Sequence, residues 1–279
     1  MISIKSLYYH YPKSSMVLND ISVNFERGNI YGLFGKNGEG KSTLLKIMSG
    51  LLYAKSGEYT VDHKSGLHRN ARTLQRLFLV PEDFELPAVT IATYQKINGP
   101  FYTNFSKKQF YHLIAEFKLA PQHHIARLSF GQKKKVLIAF GIATNTPILL
   151  MDEPTNGLDI PSKSQFRKIM ASIADENKCI IISTHQVRDL HSLINHILVL
   201  DEAKVVFDAS LAKVSTEFWF GKRKSTEDSI IYTEAGFGGK SILPRGNKEE
   251  TEVDLELLFS AVLTQNTAIN TILKTNDHD

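Results

Sequence analysis

Gly35-Lys36-Asn37-Gly38-Glu39-Gly40-Lys41-Ser42-Thr43 fits the phosphate-binding pattern G-x-x-x-x-G-K-[ST] without a mismatch. The run before it, Asn29-Ile30-Tyr31-Gly32-Leu33-Phe34, reads as a short buried strand. Leu44-Leu45-Lys46-Ile47-Met48 after it has helical spacing, so the context is strand, loop, helix. Side-chain-free residues let such a loop curl until its backbone N–H groups point inward at phosphate oxygens. The helix that follows adds its N-terminal dipole. In that arrangement Lys41 reaches the β- and γ-phosphates, and the Ser42 hydroxyl completes a Mg²⁺ shell. A chance Gly-rich turn would satisfy the loop but not its flanks.

Composition sets wide bounds around this loop. With 279 residues the chain can bury a sizeable core as one large domain or one and a half. Its 42% hydrophobic and 22% charged content is that of an ordinary globular protein. A net charge of +4 neither demands nor excludes nucleic acid. The single cysteine, Cys179, sits in an apolar run, so no disulfide can form within the chain and a reducing compartment is expected. The N-terminus lacks a secretory pattern, and no apolar run approaches the ~18 residues that span a bilayer. These features predict a soluble chain.

Ile2 to Tyr11 reads as a strand ending in an aromatic cluster at Pro12, and Asp20 to Phe25 as a second, cleanly alternating strand. A strand near Glu58 to Val61 follows the loop helix, then a basic, poorly periodic stretch from His63 to Arg76. Arg76-Leu77-Phe78-Leu79-Val80-Pro81 reads as a buried strand stopped by its proline. Helical spacing marks Thr90 to Leu119, broken at Asn98-Gly99-Pro100, and an amphipathic helix is predicted from Lys133 to Ala143. The apolar strand Ile148-Leu149-Leu150-Met151 runs straight into Asp152-Glu153. A helix opening at Pro161 is expected to reach about Asn177. Cys179 to Ser183 is another buried strand, ending at Thr184-His185. A short helix through Leu190 and Leu193 then leads to a hairpin turning at Glu202-Ala203. Beyond Ser210 the chain turns polar and Gly-rich, at Gly236, Gly238 and Gly239, and recovers regularity only in an amphipathic helix, Val253 to Leu263. Strands alternating with helices predict a mostly parallel α/β core.

The carboxylates at the end of that apolar strand have a chemical rationale. Asp152 can hold Mg²⁺ through water, and Glu153 can orient or deprotonate an attacking water. An α/β sheet places ligands at the carboxyl ends of its strands, where Asp152, Glu153 and His185 all fall. His185 either contacts the γ-phosphate or the attacking water, or is simply a histidine satisfied at a strand end. Leu128-Ser129-Phe130-Gly131-Gln132 makes the pattern specific. It resembles the LSGGQ signature of ATP-binding cassette (ABC) ATPases. Together with the phosphate loop, Asp152-Glu153, Gly157-Leu158-Asp159 and His185, in that order, the resemblance covers Ile2 to about Ser210.

The resemblance implies a P-loop NTPase (RecA-like) α/β core with an N-terminal antiparallel β subdomain and a helical insert over about 85–145. Residues 1–210 would form the cassette and 211–279 a small C-terminal extension. ATP and Mg²⁺ would be the cofactors. Two cassettes would pair head to tail around two ATP. Gly35, Asn37, Gly38, Gly40, Lys41, Ser42 and Thr43 would hold one nucleotide, with Ser129, Gly131 and Gln132 of the opposite cassette facing its γ-phosphate. Glu153 and His185 would be catalytic, Asp159 would signal across the dimer, and Ser42, Asp152 and Glu82 would hold the metal. Tyr11 sits where the family places an aromatic that stacks on adenine; alternatively it is a core tyrosine of its strand. Two positions depart from the family pattern. Phe130 replaces the first glycine of the signature, and Glu82 stands where a Gln usually coordinates Mg²⁺ and faces the membrane partner. The Lys133-Lys134-Lys135 triplet is expected to be a solvated helix start rather than a nucleic-acid patch.

The function expected is the ATP-hydrolysing subunit of a membrane transporter, peripheral on the cytoplasmic face, with a separate transmembrane permease as partner. The Val80-Pro81-Glu82 and Asp152 to Asp159 runs lean towards bacterial exporter-type cassettes. A homodimer and a pair with a homologue both remain open. Two other classes stand beside this reading. One is a soluble cassette ATPase acting on ribosomes or DNA, whose usual second cassette, coiled coil or zinc site this sequence lacks. The other is a regulatory module that holds ATP but barely hydrolyses it, a reading for which Glu82 leaves room.

Overall fold

The computed structural model describes residues 1–62, 64–65, 70–222, 230–234 and 239–275. Alternating apolar and polar residues make Ile2–His10 (β1) and Met16–Phe25 (β2) an antiparallel pair with one face buried. Asn29–Phe34 (β3) is buried almost throughout and feeds the glycine loop, which ends in Lys41–Met48 (α1). Ser56–Val61 (β4) returns to pair with β1, and Lys64–Ser65 (β5) extends that edge. Ala71–Leu74 (α2) precedes Leu77–Val80 (β6). Next come Ile91–Asn98 (α3), Lys107–Glu116 (α4) and Phe130–Ala143 (α5), whose starts are capped by the side chains of Thr90, Ser106 and Ser129. Ile148–Asp152 (β7), Ile160–Ile173 (α6) and Cys179–Thr184 (β8) form a β-α-β crossover. His196–Asp201 (β9) and Lys204–Ser210 (β10) turn through Glu202 and Ala203, both at positive φ (47° and 63°), as a two-residue hairpin with right-handed twist requires. Leu211–Glu217 (α7), Phe218–Lys222 (β11), Tyr232–Thr233 (β12), Lys240–Pro244 (β13) and Leu255–Thr275 (α8) complete the described chain.

The central sheet has the order β10-β9-β3-β8-β7-β6, parallel except for the edge strand β10. Period-two alternation divides its side chains between two cores. Leu149, Met151, Ile180 and Ile182 point to the face covered by α5, α6 and α8. Ile148, Leu150, Cys179 and Ile181 point to the face covered by α1 and the antiparallel sheet β2-β1-β4-β5. Strands buried on both faces need the continuous apolar runs seen in the sequence. Phe140 of α5 anchors the first core, meeting Phe78, Tyr94, Tyr102, Phe105 and Phe110 at ring separations of 5.0–6.1 Å.

Five expectations are corrected. The helix starting at the signature is not amphipathic: α5 is buried on nearly every side because α4, β6 and the central sheet all pack on it. Within the Lys133–Lys135 triplet, expected to be solvated, Lys134 is instead 0% exposed, while its two neighbours stay partly exposed. α6 stops at Ile173 instead of about Asn177, and the segment through Leu190 is a single 3₁₀ turn, Val187–Leu190. The C-terminal helix runs to Thr275, well past Leu263. A break at Gln265 (φ −128°, ψ 32°) redirects it so that Ile269 and Leu273 still reach the core. Of the Gly-rich tail, Gly236 and Gly238 lie outside the described residues, as do His63 and residues 66–69 of the basic stretch. The described part forms a three-stranded sheet, β11-β13-β12, whose Phe218, Phe220 and Ile242 join the first core.

Candidate functional site

Strand ends β3, β7 and β8 converge on one recess of about 480 Å³. Its walls are Tyr11, Val17, Asn37, Gly38, Gly40, Lys41, Ser42, Thr43, Glu82, Glu153, Asn156 and His185. Gly40 closes the loop at φ +93°, and a Cβ there would lie 2.7 Å from the Val17 carbonyl oxygen, so no other residue fits. Lys41 is buried, and its Nζ donates to the carbonyl oxygens of Gly35 (2.7 Å) and Lys36 (3.0 Å), which fixes the ammonium inside the loop. Burial pushes its pKa down, opposed by the nearby carboxylates of Glu153, Asp152, Glu82 and Glu39. Tyr11 stands at the rim, with its hydroxyl 3.1 Å from Thr43 Oγ1 and its ring edge-on to Tyr9.

Beneath the cradle the carboxylates are tightly held. Asp152 Oδ1 accepts from Ser183 Oγ at 2.5 Å, so the carboxylate is buried but oriented by β8. Glu153 is 3% exposed. Its Oε2 accepts from Thr184 Oγ1 (3.0 Å), and its Oε1 accepts from the His185 N–H (2.9 Å) and from His185 Nδ1 (2.8 Å). A carboxylate can only accept, so Nδ1 carries the proton of that bond. Nε2 lies 3.4 Å from Gln186 Nε2 on the outer side. Glu153 itself sits at φ 44°, a left-handed conformation that costs about 1 kcal/mol for a non-glycine residue. Two bonds from its N–H, to Ser183 O (3.1 Å) and Ser183 Oγ (3.3 Å), hold it there.

Glu82 reaches the same recess from the loop after β6, where its Oε1 accepts from Asn156 Nδ2 at 3.1 Å. Ser129, Gly131, Gln132 and Asp159 do not line the recess. Ser129 and Gln132 form a reciprocal capping box at the start of α5 (3.0 and 3.3 Å). A Cβ on Gly131 would meet the Gly157 carbonyl oxygen at 2.6 Å, so that glycine lets the signature lie against the Gly157 turn. Phe130, at the departure from the family pattern, stacks on Phe84 with ring centres 5.3 Å apart. Asp159 caps α6 by accepting from Ser162 N (2.9 Å), and hydrogen bonds from Ser162 hold its carboxyl below the usual range. Asn156, Val17, Ser183 and Thr184 also serve the site without having been singled out from sequence. Asn156 was within reach, since it follows Glu153 in the same turn. Ser183 and Thr184 act only through the pairing of β7 with β8.

The family model described as ABC transporter matches residues 18–156, a span that includes both the phosphate loop and Glu153. The chain is 32% identical over 222 residues to the energy-coupling factor transporter ATP-binding protein EcfA of Methanococcus maripaludis, covering 74% of this chain and 78% of that protein. It is 29% identical to the protein named EcfA2 of Methanospirillum hungatei, where the match covers 74% of this chain but only 54% of the relative. A solved ATP-binding subunit of an ABC transporter superposes with a TM-score of 0.69 at 24% identity, over 76% of this chain and 91% of the other, which shows the shared P-loop NTPase fold. By these matches the chain belongs to the ABC transporter family and is one of its ATPases.

Proposed function

We propose that this ATPase is the nucleotide-binding subunit of a bacterial exporter, with residues 1–210 as its cassette and 211–279 as a C-terminal extension. It works peripherally on the cytoplasmic face, and a separate transmembrane permease selects the cargo. The observation that carries the hydrolytic reading is the recess itself, which gathers Lys41, Ser42, Glu82, Glu153 and His185 around one phosphate cradle. Loop amides from Gly35 to Thr43 and the Lys41 ammonium bind the phosphates, and Tyr11 at the rim stacks on the base. Glu153, locked by Thr184 and His185, accepts the proton of the attacking water, and His185 positions that water beside the terminal phosphate.

The donors fit a magnesium ion. Ser42, Asp152 and Glu82 offer hard oxygens, and among the described residues no cluster of three or more His, Cys, Asp or Glu forms a closed cage. That is the donor set of an ion shared with substrate phosphates. When bound, Mg²⁺ supplies charge neutralisation at the phosphate oxygens.

Ser129, Gly131, Gln132 and Asp159 sit outside the recess, and Ser129, Gln132 and Asp159 are exposed. That placement supports a head-to-tail pair in which the signature of one chain completes the site of another, either a second copy or a homologue. The helical stretch from Thr90 to Leu119 offers the permease an apolar docking surface at Ile97 and Phe101, the latter 66% exposed. Among the described residues no helix is long and apolar enough to cross a membrane.

The test is capture of the tagged chain from detergent-solubilised membranes, with ATP hydrolysis measured on wild type and on Glu153→Gln. A co-purifying multi-span protein, and a loss of kcat of about 10²-fold or more in the variant, are expected. Co-purifying ribosomes or DNA-bound proteins would refute the transporter reading. Full activity in Glu153→Gln would refute the assignment of the general base.

A further inference from the structure

Lys134 is the most deeply buried cation of the described chain and makes no contact with the phosphate cradle. It lies in the second turn of α5, directly after the signature, and its side chain runs inward to the loop that follows β6. Its Nζ donates to the carbonyl oxygens of Pro81 and Glu82, each at 3.1 Å. The rings of Phe84 and Phe130 lie 5.4 and 5.8 Å from it, within range of a cation–π attraction. A desolvated ammonium is tolerated only where its surroundings return the lost hydration. Here the return comes from carbonyl dipoles, two aromatic faces, and the field of Glu82, Asp83, Asp152 and Glu153.

Glu82 explains why a charge is worth keeping there. Its carboxylate is turned into the recess by Asn156 and adds negative charge to a site already holding Asp152 and Glu153 beside the incoming phosphates. Lys41 answers part of that charge from inside the loop, and Lys134 answers more of it from behind. The same ammonium ties the backbone that carries Glu82 to the helix that begins at the signature.

We propose that Lys134 is a positioning residue for ATP hydrolysis, clamping the Pro81-Glu82 backbone to the signature helix and offsetting the charge of Glu82, so that the two residues work as a pair. The pair makes the loop after β6 and the signature helix move together. The proposal rests on the reading of the recess as a hydrolytic site, and its own test includes a measurement that does not.

That measurement is amide hydrogen exchange over residues 80–86 in the full chain, comparing wild type, Lys134→Gln and Lys134→Arg. Loss of the clamp in Lys134→Gln is expected to speed exchange by about tenfold, with Lys134→Arg close to wild type because it keeps charge and donors. In parallel, kcat of Lys134→Gln should fall about tenfold with KM for ATP changed less than about twofold, since the side chain does not touch the nucleotide. On a Glu82→Gln background the same substitution should cost less than about threefold, because a neutral partner needs no offset. Unchanged exchange in Lys134→Gln, or equal losses on both backgrounds, overturns the proposal. Should Lys134→Gln alone fail to fold, the neutral pair Glu82→Gln/Lys134→Gln decides: a folded protein supports the pairing and an unfolded one refutes it. A wild-type chain that binds ATP without turning it over would sink the hydrolytic reading alone, while the exchange comparison would still judge the clamp.

Discussion

Glu153 is held in place by its backbone as well as by its carboxylate. The residue takes its positive φ just past the end of β7, while its N–H bonds to Ser183 and its carboxylate to Thr184 and His185 at the end of β8. Strain at this one residue, offset by bonds from the neighbouring strand, holds in place the carboxylate that the proposed mechanism uses as its base. Asp159 shows a different economy, one carboxylate serving a helix start and, in the proposed dimer, a second chain. Because Ser162 holds its pKa below 3.8, its ionised form stabilises the fold. That contribution is complete above the ordinary value and is lost as pH falls through the depressed one. Asp159→Asn keeps a neutral cap and removes only the charge. Thermal midpoints measured from pH 7 down to pH 3 should show wild type about 1–2 °C higher at neutral pH, the difference closing below 3.8. A constant gap across that range would mean the charge contributes nothing.

At the scale of elements, α5 and α8 show how burial overrides pattern. α5 has apolar residues all round because it fills the space between α4, β6 and the sheet, and Lys134 is the polar exception that finds partners there. α8 loses its apolar rhythm at Thr264-Gln265-Asn266-Thr267, and a sequence reading stops it there. The break at Gln265 restores contact: Ile269 is fully buried, and Asn270 Nδ2 donates to the Val206 carbonyl at 2.8 Å. Ile269→Ala should therefore destabilise the fold by about 2–4 kcal/mol, read as a lower urea midpoint at constant slope. A cost below about 0.5 kcal/mol would show that the second half of the helix frays from the core.

Over the whole molecule, the recess and the signature occupy separate places, and Ile160 (83% exposed) follows Asp159 at the start of α6. An exposed isoleucine there contributes nothing to the isolated fold, but it suits a buried position between two chains. Ile160→Asp should leave the thermal midpoint within about 1 °C and still bind ATP, yet abolish ATP-dependent association in sedimentation velocity runs. Association equal to wild type would remove this surface from the proposed pair. Local signals were enough for the phosphate loop, the apolar strands ending in Asp152-Glu153 and Thr184-His185, and the hairpin at Glu202-Ala203. In each, spacing along a few residues dictates backbone shape and exposes the chemistry at a strand end. The burial of Lys134, the Glu82–Asn156 bond and the docking of the tail on the first core join residues 50 or more positions apart. No local period encodes such contacts. The sequence by itself determined the strand-loop-helix core and the chemical groups at its strand ends, because these depend on near neighbours. Only the tertiary structure decided which of its charges are buried and which segments share a core, because those depend on what packs against them.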